Sequence, residues 1–147
     1  MKRLFFSILI CIIILTVPLA FAEETKTIAV VTPYLASVTT NQMIKAFERE
    51  AKAKGWDVVT IDTKGDFGAL ASRMEDMIAQ KVDAIVLGSA DPNQLKDQIK
   101  KSNEAGIPVL GADAGWIPGV TCNVTSDNYV MSAMMTTFLF NAIDRKG

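Results

Sequence analysis

The chain has no histidine at all. That removes the Ser-His and Cys-His pairs that activate most nucleophiles, and with them most zinc sites. Cysteine is nearly as scarce: Cys11 lies within an opening apolar run, and only Cys122 lies beyond it. No intramolecular disulfide can form once that run is removed, and a lone thiol is expected to serve as a small buried hydrophobe. Glycine is missing from the first strand-to-helix loop, TPYLASVTTN, so neither a dinucleotide fingerprint nor a phosphate-binding loop is present. No GxSxG nucleophile elbow occurs either. A phospho-acceptor receiver would want paired acidic residues after its first strand, where this chain has Thr32 and Pro33. These absences argue against an enzyme and leave no catalytic group, metal or cofactor to expect. Repeats, low-complexity tracts and linkers are also lacking.

What is present begins with a leader. In MKRLFFSILICIIILTVPLAFA, Lys2 and Arg3 precede an apolar run from Leu4 to Leu15, Pro18 breaks it, and Ala20-Phe21-Ala22 offers the small-x-small site of a signal peptidase. Residues 1–22 therefore read as a secretory signal peptide and residues 23–147 as one domain. The competing reading is an uncleaved anchor, since nineteen residues from Leu4 to Ala22 approach the roughly 20 that span a bilayer. Cleavage leaves no segment for stable membrane insertion. All 16 acidic residues follow Ala22, whereas two of the 15 basic ones precede it, so the domain carries about −3. An acidic domain lacks the basic face that nucleic acid requires.

Beyond the leader, short β-branched runs alternate with amphipathic stretches. Strands are expected at Thr27 to Thr32, Asp57 to Asp62, Ala84 to Leu87, Pro108 to Gly111 and Val120 to Val124. Helices are expected from about Thr40 to Lys54, Phe67 to Gln80, Asp91 to Gly106 and Asn128 to Ile143. Thr39 and Gln42 have capping-box spacing, and Asp91 and Asp127 stand where N-caps belong. Successive βα units imply an α/β fold: a doubly wound parallel sheet in three α/β/α layers.

Ligands of such sheets sit outside the carboxyl ends of the strands, where strand order reverses. The loops placed there hold hydroxyls, amides and carboxylates, with Tyr34, Phe67 and Trp116 as their only rings. That set suits a small, polar, mostly neutral solute, because carboxylates grip hydroxyl pairs and flat rings cover apolar faces. Asp113 stands out, since it follows a buried strand and caps no obvious helix. Tyr34, Ser37, Thr39, Ser89 and Trp116 complete the candidate binding set.

Five segments in order, IAVVTPYL, AKAKGWDVVTID, IAQKVDAIVLGSADPNQL, NEAGIPVLGAD and NVTSDN, resemble the periplasmic solute-binding proteins of ribose and galactose type. That fold (the type 1 periplasmic binding fold) is shared with the ligand domains of LacI-type repressors. The resemblance implies two hinged lobes that trap a solute between them, and this chain resembles the first lobe only, truncated before the second. It implies a polar contact at Ser37 and a ring-stacking position at Thr39, where no ring stands. It also implies a contact beside Gly88, at Ser89, and an Asp-Arg pair at Asp113-Ala114, where the carboxylate is kept and the guanidinium lost. The function it implies is the substrate-binding component of an ABC importer, taking a carbohydrate or related polar solute in the periplasm and delivering it to a membrane permease. The alternative is the sensory head of a signalling receptor, anchored by an uncleaved Met1 to Ala22.

Overall fold

The computed structural model describes residues 25–143, so the expected leader lies outside the described residues. Five strands, β1 (Thr27–Thr32), β2 (Asp57–Asp62), β3 (Ala84–Gly88), β4 (Val109–Ala112) and β5 (Cys122–Val124), form one sheet in the order β2-β1-β3-β4-β5. Every pairing is parallel. The chain moves one way from β1 to β2, then the other way through β3, β4 and β5, so order reverses between β1 and β3. This is the doubly wound sheet expected from the alternating pattern.

The central strands read as continuous apolar runs because both their faces are covered. In β1, Ala29 and Val31 face one side and Ile28 and Val30 the other, and all four are buried. Helices α2 (Phe67–Ala79) and α3 (Lys96–Glu104, with Leu95 just before it) cover the first face, burying Leu70, Met74, Leu95 and Ile99 against Ile85 and Leu87. The α3 segment opens as a 3-10 turn, Pro92–Leu95, before the helix Lys96–Glu104. Helix α1 (Val38–Ala53) covers the second face alone, through Ile44 and the half-buried Met43 and Phe47.

Most boundaries agree with expectation to within two residues, and the caps decide the exceptions. Asp91 accepts the Asn93 N–H at 2.9 Å, and Asp127 accepts the Val130 N–H at 2.9 Å, as their positions implied. The capping box at Thr39 does not form. Helix α1 starts earlier, because the Ser37 carbonyl already accepts the Asn41 N–H at 2.9 Å, leaving the Thr39 hydroxyl to pair with that of Ser37. Gly55, at φ +75°, ends α1 in the left-handed region where a Cβ is penalised.

Two departures concern the β5 edge. Helix α4 (Asn128–Ala142) forms, yet every one of its residues is exposed, including Met134, Met135 and Phe138. Cys122, expected to be buried, is exposed as well. The reason is shared: β5 is a three-residue edge strand, and α4 does not fold back over it. An apolar groove of about 530 Å³ is left open on the α1 face, bordered by Phe47, Trp56, Val86, Leu110, Cys122 and Val124.

Candidate functional site

The loops at the carboxyl ends of the strands converge on one open cleft of about 710 Å³. It lies over the reversal point, where Pro33 and Tyr34 leave β1 and Ser89 leaves β3. The N-terminus of α1 contributes Ser37, Thr39 and Thr40. Asp62, Lys64 and Gly65 enter from the end of β2, and Asp113 from the end of β4. A second hollow of about 450 Å³ shares Thr39, Thr40, Ser89 and Asp113 and adds Thr125 and Ser126 beyond β5.

Local chemistry explains why these side chains stand where they do. Thr32, buried at the end of β1, accepts the Tyr34 N–H on its hydroxyl at 3.1 Å and turns the chain out of the sheet. The Tyr34 N-terminal turn continues as the Tyr34 carbonyl accepts the Ser37 N–H at 2.9 Å. Tyr34 is held edge-on to Phe67, with ring centroids 6.3 Å apart, an aromatic geometry that fixes its ring while leaving it 46 % exposed. The hydroxyls of Thr40 and Ser89, 49 residues apart, lie 3.1 Å from one another and tie α1 to the end of β3. Thr125 donates its hydroxyl to the Asp113 carboxylate at 2.9 Å.

Backbone strain gathers at the same place. Among the described residues four non-glycine positions have positive φ, and three of them line the cleft: Lys64, Ser89 and Asp113, each at +53°. Such conformations cluster where a surrounding structure holds them for binding. Asp62 combines two roles, accepting the Lys64 N–H at 3.0 Å in a turn while bordering the cleft. At the opposite end of the sheet, charge is paired. There Asp83 accepts the Thr27 N–H at 2.8 Å and the Lys26 ammonium at 2.9 Å, which hold its carboxyl below the ordinary value.

Of the six residues singled out from sequence, five share the cleft: Tyr34, Ser37, Thr39, Ser89 and Asp113. Trp116 stands apart from them. Its indole N–H donates to the Val120 carbonyl at 3.1 Å, and the ring is 64 % exposed on the loop between β4 and β5. Thr40 and Lys64 lie in the strand-end loops without a distinctive sequence signal, and Asp62 ends its strand where turn formation also favours Asp. Among the described residues no group of three acidic or sulfur ligands converges on a metal position. None of their helices is long and apolar enough to cross a membrane.

A parallel sheet whose strand ends hold polar groups around an open cleft is found in many folds, and sequence comparison narrows it. The family profile described as periplasmic binding protein domain matches residues 28–147. The chain belongs to that family. Among periplasmic binding proteins, the ribose import binding protein of Bacillus subtilis (strain 168) is 30 % identical over 102 residues, covering 69 % of this chain and 33 % of that protein. The xylitol-binding protein of Mycolicibacterium smegmatis is 26 % identical over 126 residues, covering 85 % of this chain and 36 % of that one. The chain thus spans about a third of the length of the curated relatives it matches. A solved ABC transporter solute-binding protein from Agrobacterium vitis with bound allitol superposes with a TM-score of 0.72 at 29 % identity, over 84 % of this chain and 42 % of that one. Another, from Actinobacillus succinogenes 130z with bound D-allose, gives 0.72 at 27 % identity, over 84 % and 46 %. The periplasmic binding protein family is one of solute binders rather than of enzymes.

Proposed function

We propose that this chain is the first lobe of a solute-binding protein serving an ABC importer, and that its cleft holds a carbohydrate or open-chain polyol. The observation that carries the reading is the convergence of Ser37, Thr39, Ser89 and Asp113 with the Tyr34 ring at the reversal point of the sheet. Hydroxyl and carboxylate groups exchange hydrogen bonds with a polyol's hydroxyls, and the fixed Tyr34 ring offers an apolar wall. Relatives named for ribose, xylitol, allitol and D-allose support the same chemical class.

The mechanism is capture without bond making. Export through a cleaved leader brings the lobe to the periplasm. A second α/β lobe closes over the cleft and buries the solute, and the closed form delivers it to a membrane permease. The apolar surface of α4 and the open groove beside β5 are suited to such a second body, since uncovered patches of this kind are unusual in a finished monomer. The present lobe supplies one wall only, so its own affinity is expected to be weaker than about 1 mM, near −4 kcal/mol.

NMR titration of the exported chain with ribose, xylitol, allitol and D-allose tests this reading. Graded shifts confined to the amides of Ser37, Ser89 and Asp113 are expected for at least one of them. No shift with any of the four would defeat the reading. Micromolar binding by calorimetry would defeat the half-site part of it.

A further inference from the structure

We propose that Asn123 is a positioning residue for Asp113, acting through the backbone N–H and C=O of Ala114. The inference rests on the reading that Asp113 meets the solute, and it begins from an unusual pair of hydrogen bonds. The side-chain amide of Asn123 accepts the Ala114 N–H on Oδ1 at 3.2 Å and donates from Nδ2 to the Ala114 carbonyl at 2.7 Å. Both ends of one amide are spent on the two backbone groups of one residue. Because an N–H needs an acceptor and a C=O needs a donor, this pairing also dictates which way the amide points.

The side chain therefore imitates one more rung of the β4–β5 ladder, beyond the last backbone pair at Ala112 and Val124. Asp113 is caught between the two. Its N–H donates to the Val124 carbonyl at 2.7 Å, the next residue is gripped by Asn123, and its carboxylate accepts the Thr125 hydroxyl at 2.9 Å. So framed, Asp113 stays at φ +53° with its carboxylate beside the cleft. A non-glycine residue left to itself would relax toward the extended region and carry the carboxylate with it.

The clamp has a steric condition, and β4 meets it. Gly111 pairs with Asn123 in register, and a Cβ at 111 would lie 2.3 Å from Asn123 Oδ1 and 2.9 Å from its Cγ. The backbone of Gly111 does not have positive φ, so its conformation gives no reason for glycine there. Room for the Asn123 side chain gives one. Gly111, Asn123 and Asp113 thus form a linked set in which two residues outside the cleft determine where the third points.

The test uses the exported chain and the variants Asn123→Ala, Gly111→Ala, Asp113→Ala and the double Gly111→Ala/Asn123→Ala. Hydrogen exchange at the Ala114 amide reads the clamp directly. Loss of the acceptor on the Ala114 N–H, together with the donor to the Ala114 carbonyl, is expected in Asn123→Ala to speed that exchange by about ten- to a hundredfold. The Asp113 carboxyl carbon shift should move in the same variant, and xylitol binding should weaken to the level of Asp113→Ala. Adding Asn123→Ala to Asp113→Ala should then cost nothing more in binding. Gly111→Ala should reproduce all of this, and the double variant should stay close to Asn123→Ala, because Oδ1 and Cγ have gone and only the Cβ of residue 123, 3.1 Å away, remains.

A stitch that merely closes the sheet edge would lower the unfolding midpoint in Asn123→Ala while leaving the Asp113 carboxyl shift in place. That result overturns the proposal, as does unchanged exchange at Ala114 or an effect on binding additive with Asp113→Ala. If the unaltered chain takes up neither xylitol nor the other sugars, the solute reading fails alone. The exchange and carboxyl measurements still decide the clamp.

Discussion

On one face of the sheet α2 and α3 lie side by side and bury fourteen apolar residues in a continuous layer with β1, β3 and β4. On the other face α1 is the single covering helix among the described residues, a smaller cluster of five apolar residues is buried, and a groove stands open beside β5. Helix α4, which follows β5 after a three-residue turn, covers neither face. The contrast separates two kinds of apolar surface. Where a helix alternates apolar and polar residues at the helical period, it seats on the sheet and the surface disappears. Where a helix is uncharged from Asn128 to Ile143 and its polar residues, such as Ser132, Thr137 and Asn141, are not gathered on one side, no single face is specified for docking.

The difference can be broken most forcefully in the sealed layer. Leu87→Ala removes a fully buried side chain beneath α2 and α3 and is expected to cost about 2–5 kcal/mol in denaturant unfolding. Phe138→Ala, a larger truncation, should change stability by less than about 0.5 kcal/mol. Similar costs for the two would mean that α4 is seated after all.

Matched helix caps offer a finer comparison. Asp66 accepts the Ala69 N–H at 2.9 Å to start α2, and Asp127 accepts the Val130 N–H at 2.9 Å to start α4. Asp66→Ala should lower global stability by about 1 kcal/mol. Asp127→Ala should fray α4, visible as lost helical circular dichroism, with the cooperative transition unmoved.

Charge placed on the bare helix sharpens the contrast from the other side. Met134→Glu with Phe138→Glu should raise the concentration at which the chain stays monomeric by light scattering, with stability changed by less than about 0.5 kcal/mol. The smallest effect belongs to the ion pair tying α2 to α3. Lys101 lies 2.6 Å from Glu75, and this hydrogen bond holds the Glu75 carboxyl below its ordinary value of 4.5, with Gln98 assisting. A depressed carboxyl pKa contributes stability that is present above the unfolded value and lost as pH falls through the folded one. Glu75→Gln should therefore flatten a shallow part of the acid limb below pH 4.5 and leave stability near neutrality almost unchanged.

Export itself can be checked independently. Intact mass of the protein recovered from the periplasm should correspond to a start at Glu23. A mass that includes Met1 would support the anchored sensory head instead.

Much of the fold could be read directly, because local patterns carry it. TIAVVT declares a doubly covered strand, and Asp91 and Asp127 announce caps that the structure contains. Five members of the cleft followed from the rule that strand ends meet at a reversal point. Thr39 has the spacing of a cap, but the helix start depends on the Ser37 carbonyl, and no side-chain pattern reports a carbonyl. Asn123 and Gly111 are not legible in the sequence for a different reason. Their meaning lies in a contact across two strands, twelve residues apart, and neither residue type is distinctive in a strand.

The sequence by itself determined the alternation of strands and helices, the acidic charge, the lack of histidine chemistry and the family resemblance, since each depends on neighbours along the chain. Only the tertiary structure decided that α4 and Cys122 stay exposed, that three left-handed residues border one cleft, and that Asn123 grips Ala114 over a bare Gly111. Those outcomes turn on which surfaces meet in space, and a side chain's partner across a sheet is set by strand order and register rather than by its own type.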